Sequence, residues 1–313
     1  MRISVVIPCF NAARWIAATL RSVAGQSRPP EEILVIDDGS TDDSLEQIRS
    51  SGVSVRLLQT QRANGAGARN AGIAAASGDW IALLDADDLW YPDHLERAES
   101  LLSGSGDVAY MASHDWIDLQ GRSIPIPESF TAKFDAPLTG LADTRFLQLL
   151  REPFHFGHST VLYRLDRLRE VGAFDVEQER RHDLDLWLRM IHGHTWTYDS
   201  VRTVGYREGT PGSISKAVVS CEYFNLRALL KSRDRFAGNP HFAEEIAGSA
   251  RRLMGLAFVD GASGEFASAR KLAWPYLDPR LRAWYRGASL IAPLARLAMR
   301  LRRRVIMRPE DAG

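Results

Sequence analysis

The first ninety residues alternate between two hydrophobic periods, and that alternation narrows the possible folds more than any other feature of the chain. Short apolar runs at Ile3 to Ile7, Ile33 to Ile36, Val53 to Leu58 and Trp80 to Leu84 read as buried strands. Between them the period lengthens. Asn11 is placed to cap a helix whose Ile16, Leu20 and Val23 share one face. Ser40 or Thr41 is placed to cap a second helix, with Asp42 and Asp43 in the first turn, where the helix dipole favours negative charge, and with Leu45 and Ile48 inside. Ala66 to Ser77 makes a third, Ala-rich helix stopped by Gly78. Strand–helix–strand repetition with short connections predicts an α/β domain: a mostly parallel sheet flanked by helices.

The pattern then becomes mixed. Pro92 to Leu102 reads as a helix, Val108 to Ile117 as a strand and Gly121 as a hairpin turn. Residues 124–142, with Pro125, Pro127 and Pro137, read as a loop, and His158 to Tyr163 as another strand. Leu184, Trp187, Leu188 and Ile191 mark one helical face, and Thr195 to Tyr206 is strand-like. Beyond Ser215 the chain is helical almost throughout, with Gly264 and Pro275 as punctuation. The expected organisation is a domain over 1–215, divided into halves 1–105 and 106–215, followed by a helical region over 216–313.

Composition excludes several classes. The 313 residues carry 39 Lys and Arg against 39 Asp and Glu, and a neutral chain is a poor general nucleic-acid binder. Two cysteines, Cys9 and Cys221, cannot build a disulfide framework, and no uncharged apolar run is long enough to span a bilayer. Met1 and Arg2 lead straight into a strand without a cleavage signal, so a cytoplasmic protein is expected. The charge is nevertheless uneven: nine Arg and no acidic residue lie between Pro279 and Arg308. Either those arginines pair with acidic patches on the body, or they form a basic segment that meets anionic lipid at the inner face of a membrane.

The chemistry concentrates where strands end. The second strand runs into Asp37, Asp38, Gly39 and Ser40, and the fourth into Asp85, Ala86, Asp87 and Asp88. In a parallel sheet both clusters reach one carboxyl edge, where open α/β sheets bind ligands. Two like charges ~4 Å apart at an effective dielectric near 20 repel by about 4 kcal/mol, so five converging carboxylates call for protonation or a cation. Hard oxygen donors without His or Cys nearby favour Mg²⁺ or Mn²⁺. Such an ion completes its shell with water and phosphate oxygens, which suggests a nucleoside diphosphate. No Walker loop or dinucleotide glycine fingerprint is present, leaving the metal and Arg69 to neutralise phosphate.

Five ordered blocks carry a resemblance. VVIPCFN (5–11), VIDDGSTDD (35–43), NGAGARNAGI (64–73), GDWIALLDADD (78–88) and HDLDLWLRM (182–190) closely resemble family 2 of the inverting glycosyltransferases. The resemblance covers roughly residues 3–215 and implies an A-type nucleotide-sugar transferase fold, a Rossmann-like sheet in which donor and acceptor halves are fused. It implies a nucleotide pocket lined by Pro8, Phe10 and Asn11, with one of Asp37 and Asp38 receiving a hydrogen bond from the base. It further implies Arg69 near base and phosphates, Asp85 facing ribose or diphosphate, Asp87 as metal ligand, and Asp88 as its neighbour or a second ligand. Uridine is the family's common base. Periodicity leaves Asp183 and Asp185 flanking their helical face equally; the family match selects Asp183 as the base that takes a proton from the acceptor hydroxyl.

Two departures stand out. His182 occupies the place where the family usually has Glu before the base, and YREGTPGSIS (206–215) lacks the His that usually follows its Tyr-Arg, leaving Arg207 to engage phosphate or to form a surface salt bridge. His155 and His158 are candidates for the acceptor side. Trp90 and Trp116 either stack on a sugar or pack in the core, and Cys9 reads as a small buried hydrophobe. The leading expectation is an inverting, metal-dependent transferase. It would move a sugar from a nucleoside diphosphate, UDP being the expected one, to a glycan or lipid-linked acceptor hydroxyl in surface polysaccharide or glycolipid assembly. The alternative in a related fold is a sugar-phosphate nucleotidyltransferase, which wants a glycine- and base-rich loop where residues 8–14 offer only Arg14. A response-regulator-like Mg²⁺ module is disfavoured by the chain's length and by Asp85-Ala86-Asp87 on the fourth strand.

Overall fold

The computed structural model describes residues 1–61, 63–126, 137–149, 157–210, 218–260 and 263–290. The chain forms two compact units, Met1–Ser213 and Ile214–Gly313. In the first, β1 (Ile3–Cys9), α1 (Ile16–Ala24), β2 (Glu32–Asp37), α2 (Ser44–Ser50), β3 (Arg56–Gln59), α3 (Asn64–Ala75) and β4 (Trp80–Leu83) follow one another as the apolar alternation predicts. There follow β5 (Leu89–Trp90), α4 (His94–Leu102), β6 (Ala109–Ile117), β7 (Ser123–Ile124), β8 (Leu138–Ala142), α5 (Asp143–Leu149), β9 (Val161–Arg164), α6 (Leu165–Glu170), α7 (His182–Ile191) and β10 (Thr195–Arg207). All ten strands join one sheet, whose main path is β3-β2-β1-β4-β9-β6-β10-β5.

Strands β3, β2, β1 and β4 are parallel, whereas β9 runs antiparallel to both β4 and β6. Because β6 is parallel to β10, the carboxyl ends of β1, β2, β4, β6 and β10 all reach the same edge. The reversed β9 begins at that edge. Its lead-in, a 3-10 turn over His158–Thr160, is therefore delivered to the strand ends from the opposite direction. This turn replaces the first half of the strand expected from His158.

Other expectations are corrected locally. Asn11 does not cap α1: it adopts a left-handed φ of 50°, and its side-chain oxygen accepts from the Thr41 N–H at 2.8 Å. Helix α2 starts only at Ser44, with Asp42 Oδ1 accepting from the Ser44 N–H at 3.0 Å. Residues 138–142, expected in a loop, pair antiparallel with β10; residues 127–136 lie outside the described residues. Gly264 is the second residue of a helix that starts at Ser263.

The core lies between the sheet and its helices. Ile3, Val5, Ile7, Val35, Ala82 and Leu162 from the strands meet Ile16, Leu20 and Val23 of α1. On the other face α3 lies close to β1 and β2 at Gly72, where a Cβ would come within 2.7 Å of Ile36 Cδ1 and overlap Val6 Cγ1. Gly72→Val is expected to destabilise the fold by about 3 kcal/mol through overpacking, read as a lower urea midpoint. An unchanged midpoint would mean that α3 can lift away freely.

The second unit contains α8 (Val218–Lys231), α9 (Pro240–Asp260), α10 (Ser263–Ala273), a 3-10 turn over Trp274–Tyr276 and α11 (Pro279–Leu290). Phe242, Ala250, Leu253 and Phe258 of α9 form its buried spine. Among the described residues no helix is long and apolar enough to cross a membrane.

Candidate active site

The strand-end carboxylates occupy distinct environments. Asp37, 1% exposed, closes the turn after β2: its Oδ1 accepts from the Ser40 N–H at 3.3 Å. Asp38 faces the start of α3, where its Oδ1 accepts from Thr60 Oγ1 at 2.7 Å and the Ala63 N–H at 2.6 Å. The turn can bend this sharply because Gly39 takes φ 80°. Beside it, Pro8 is half-buried at the end of β1, and Phe10 stands 51% exposed, an apolar ring left open at the sheet edge. Cys9 is buried, and desolvation followed by the Asp37 charge pushes its thiol up to about 11, as befits an inert packing residue.

After β4 the chain makes a tight loop fixed from three sides. Thr19 Oγ1, buried in α1, donates toward the carbonyls of Ala86 and Asp88, 2.9 Å from each. Ser159, brought in by the reversed β9, accepts from the Asp85 N–H at 3.0 Å and donates to Asp88 Oδ2. Arg207, at the end of β10, donates from its backbone N–H to Asp88 Oδ1 at 2.8 Å, from Nε to the Asp87 carbonyl at 2.6 Å and from Nη1 to the Asp118 carbonyl at 2.6 Å.

These bonds sort the carboxylates. Asp88 is 2% exposed with both oxygens engaged, so it braces the loop instead of offering a metal an open ligand. Burial, then Asp87 and Asp85, hold its carboxyl well above the usual range. Arg207 forms no surface salt bridge among the described residues; its buried guanidinium staples carbonyls. Trp90 is a core residue, 3% exposed, stacked on His94 at 4.5 Å and donating its indole N–H to the Ser159 carbonyl at 2.8 Å, so it presents no face to a sugar. Trp116 is partly buried on β6. Asp85 and Asp87 remain partly exposed. Burial, and then the Asp85 charge, raise the Asp87 carboxyl.

Arg69 lies opposite, 6% exposed on α3, and donates from Nη2 to Asp85 and from Nη1 to the Gly65 carbonyl at 3.0 Å. On the other flank α7 separates the two candidate bases. Asp185 is fully buried and accepts from Arg189 Nε at 3.1 Å and Nη2 at 2.7 Å. Asp183 is half-buried in the first turn, its Oδ1 accepting from the Leu184 N–H at 2.8 Å. His158 is buried against Phe174 and His182, while His155 lies outside the described residues.

Among the described residues no group of three His, Cys, Asp or Glu side chains forms a ready-made metal cage. The donor chemistry nevertheless fits a hard divalent ion. Asp87, with Asp85 paired to Arg69 through one oxygen, would leave most of the shell to water and phosphate, as Mg²⁺ and Mn²⁺ prefer.

Sequence reasoning missed Thr19, Thr60 and Ser159. The only signal for Thr19 was a hydroxyl on an otherwise apolar helix face; Ser159 became meaningful only once the direction of β9 was known. Phe174 carried no signal.

The model of glycosyl transferase family 2 matches residues 4–171, more than half of the chain. The chain belongs to glycosyl transferase family 2. This family 2 chain is 38% identical over 129 residues to an uncharacterized glycosyltransferase of Nostoc, covering 40% of each chain. It is 41% identical over 117 residues to the amylovoran biosynthesis glycosyltransferase AmsB of Erwinia amylovora, covering 34% of this chain and 39% of the relative. These alignments thus span about two fifths of the relatives' length.

The fold is the A-type fold of nucleotide-sugar transferases, shared with S. aureus TarS 1-349 in complex with UDP-GlcNAc. The two have a TM-score of 0.68 and 18% identity, over 96% of this chain and 89% of the other. A mannosyltransferase from Pyrobaculum calidifontis in complex with GDP-Man and Mn²⁺ is also similar, with a TM-score of 0.58 and 18% identity, over 96% and 87% of the two chains.

Proposed function

We propose that the protein is an inverting, metal-dependent transferase that moves a sugar from a nucleoside diphosphate, UDP in the first instance, to an acceptor hydroxyl. The observation that carries this reading is the division of carboxylates around one strand edge. Partly exposed Asp85 and Asp87 stand with Arg69 on the donor side, and half-buried Asp183 begins α7 on the other. Pro8, Phe10 and Asn11 line the nucleotide pocket with Asp37 or Asp38, residues 1–105 hold the donor, and 106–215 form the acceptor side. Asp87 would hold Mg²⁺ or Mn²⁺, which would supply positive charge to the diphosphate. Asp183 takes the acceptor's proton as its oxygen attacks the anomeric carbon from the face opposite the leaving group. UDP complexes of TarS and the Mn²⁺ complex of the mannosyltransferase support donor and metal, and AmsB's role in amylovoran biosynthesis supports a polysaccharide or glycolipid acceptor. The nucleotidyltransferase alternative gains nothing here, since Arg14 is the lone base in residues 8–14 and points to no triphosphate cradle.

Calorimetry tests the donor side. Wild type is expected to bind UDP more tightly with Mn²⁺ than without, and Asp87→Ala to lose that enhancement, about tenfold or more. Equal enhancement in the variant would remove Asp87 as ligand, and no UDP binding in wild type would remove the donor assignment.

Localisation forms part of the same reading: a cytoplasmic enzyme touching the inner face of a membrane through its basic C-terminal region. Most of that region lies outside the described residues. Within the second unit, Trp284 is 45% exposed on α11, and Arg270 and Arg286 flank the Trp274 ring at 4.8 and 5.6 Å, a mixture of cations and indoles suited to a lipid headgroup layer. Reversing Arg280 and Arg286 to Glu is expected to weaken sedimentation with phosphatidylglycerol vesicles about tenfold or more. Undiminished sedimentation would assign the tail another purpose.

A further inference from the structure

Two histidines, the buried His158 and the partly exposed His182, remain unused by that chemistry. His182 sits one residue before Asp183, and His158 lies face to face with it, ring centroids 4.7 Å apart and planes 14° from parallel. Phe174 meets both edge-on, at 5.2 and 5.8 Å, and lies 5.9 Å beneath the Arg69 guanidinium. Asn70, the residue after Arg69, grips the Phe174 backbone from both sides, donating to its carbonyl at 2.8 Å and accepting from its N–H at 2.9 Å. The aromatic cluster and the arginine are thus anchored to the same turn of α3.

His182 Nε2 lies 3.2 Å from Arg69 Nη1. A guanidinium can only donate, so Nε2 must accept and the imidazole proton must sit on Nδ1. Burial and the Arg69 charge keep His182 neutral, with its pKa lowered to about 4. His158 is 7% exposed, and neither of its ring nitrogens has a hydrogen-bond partner among the described residues. Its contribution is therefore the face of its ring.

We propose that His182 is a positioning residue: an uncharged acceptor, backed by the His158 ring, that sets the Arg69 guanidinium between Asp85 and the diphosphate and ties the start of α7, with Asp183, to the donor-side loop. The assignment rests on Arg69 and Asp85 facing the donor. It explains why a histidine serves beside the base. The neutral ring accepts from Arg69 Nη1, beside the Gly65 carbonyl, without adding negative charge next to the ion pair with Asp85.

The test combines substitution with nitrogen NMR. In wild type, the ¹⁵N shifts of His182 should report a protonated Nδ1 and an accepting Nε2; the opposite tautomer would overturn the proposal whether or not UDP binds. His182→Ala should weaken UDP binding in Mn²⁺ about tenfold, the scale of one hydrogen bond to a charged group. His182→Gln, whose amide oxygen reaches the Nε2 position, should restore most of the affinity. His158→Phe should match wild type, while His158→Ala should lose affinity. A structural role alone would lower the melting temperature without moving the Kd of the folded protein. Wild-type affinity in His182→Ala, or equal losses in His182→Gln and His182→Ala, would overturn the proposal. Should wild type bind no UDP, the donor assignment fails separately, and the tautomer still decides the Arg69 contact.

Discussion

Asp183→Asn is expected to lower sugar transfer by about 10²- to 10⁴-fold while leaving nucleoside diphosphate affinity nearly unchanged. The asparagine keeps the shape of the side chain and can still accept from the Leu184 N–H, as Asp183 Oδ1 does at 2.8 Å, so the start of α7 should persist. It loses the ability to take a proton. Asp183 Oδ2 has no hydrogen-bond partner among the described residues, which leaves it available to an incoming hydroxyl. Donor affinity should hold, because Asp85, Asp87 and Arg69 stand on other elements. Retained turnover in this variant would place the base elsewhere.

Its neighbour two positions on should behave in the opposite manner. Asp185→Ala is expected to destabilise the first unit by about 3–5 kcal/mol, because removing one member of a buried ion pair strands the other. Asp185 is fully buried, and Arg189, only 10% exposed, also donates from Nη1 to the Val171 carbonyl at 2.6 Å, so its guanidinium cannot turn out to water without breaking that anchor. Urea denaturation should show the midpoint falling sharply. A midpoint within error of wild type would mean that Arg189 can swing out, and that the pair is dispensable. Together the two variants separate chemistry from scaffold within one helical turn.

The sequence made some of this legible because certain signals are local. Hydrophobic period alone located β1, β2, β4 and α7, since each buries its whole repeat in one layer. The carboxylate clusters were visible for the same reason: in parallel strands, position along the chain translates directly into position at an edge. What stayed hidden depends on partners distant in sequence. The 3-10 turn and short β9 look alike in sequence whether the strand runs with or against β4, so the meeting of Ser159 with Asp88 could not be foreseen. Trp90 and Arg207 are residue types that serve ligands and cores equally, and only burial distinguishes the uses. Asp183 and Asp185 flank the apolar stripe symmetrically; the ion pair with Arg189, one turn further on, gives them different surroundings.

Gly72 adds a consequence for the cleft. It lies three residues beyond Arg69 on α3, on the side that rests on Val6 and Ile36. Anything larger there would lift the helix from the strands, and the guanidinium one turn earlier would draw back from Asp85. The reach of the Arg69 guanidinium toward Asp85 is thus set where α3 rests on the sheet, by the smallest residue available. Variants that impair the reaction should therefore turn up at positions no substrate ever touches.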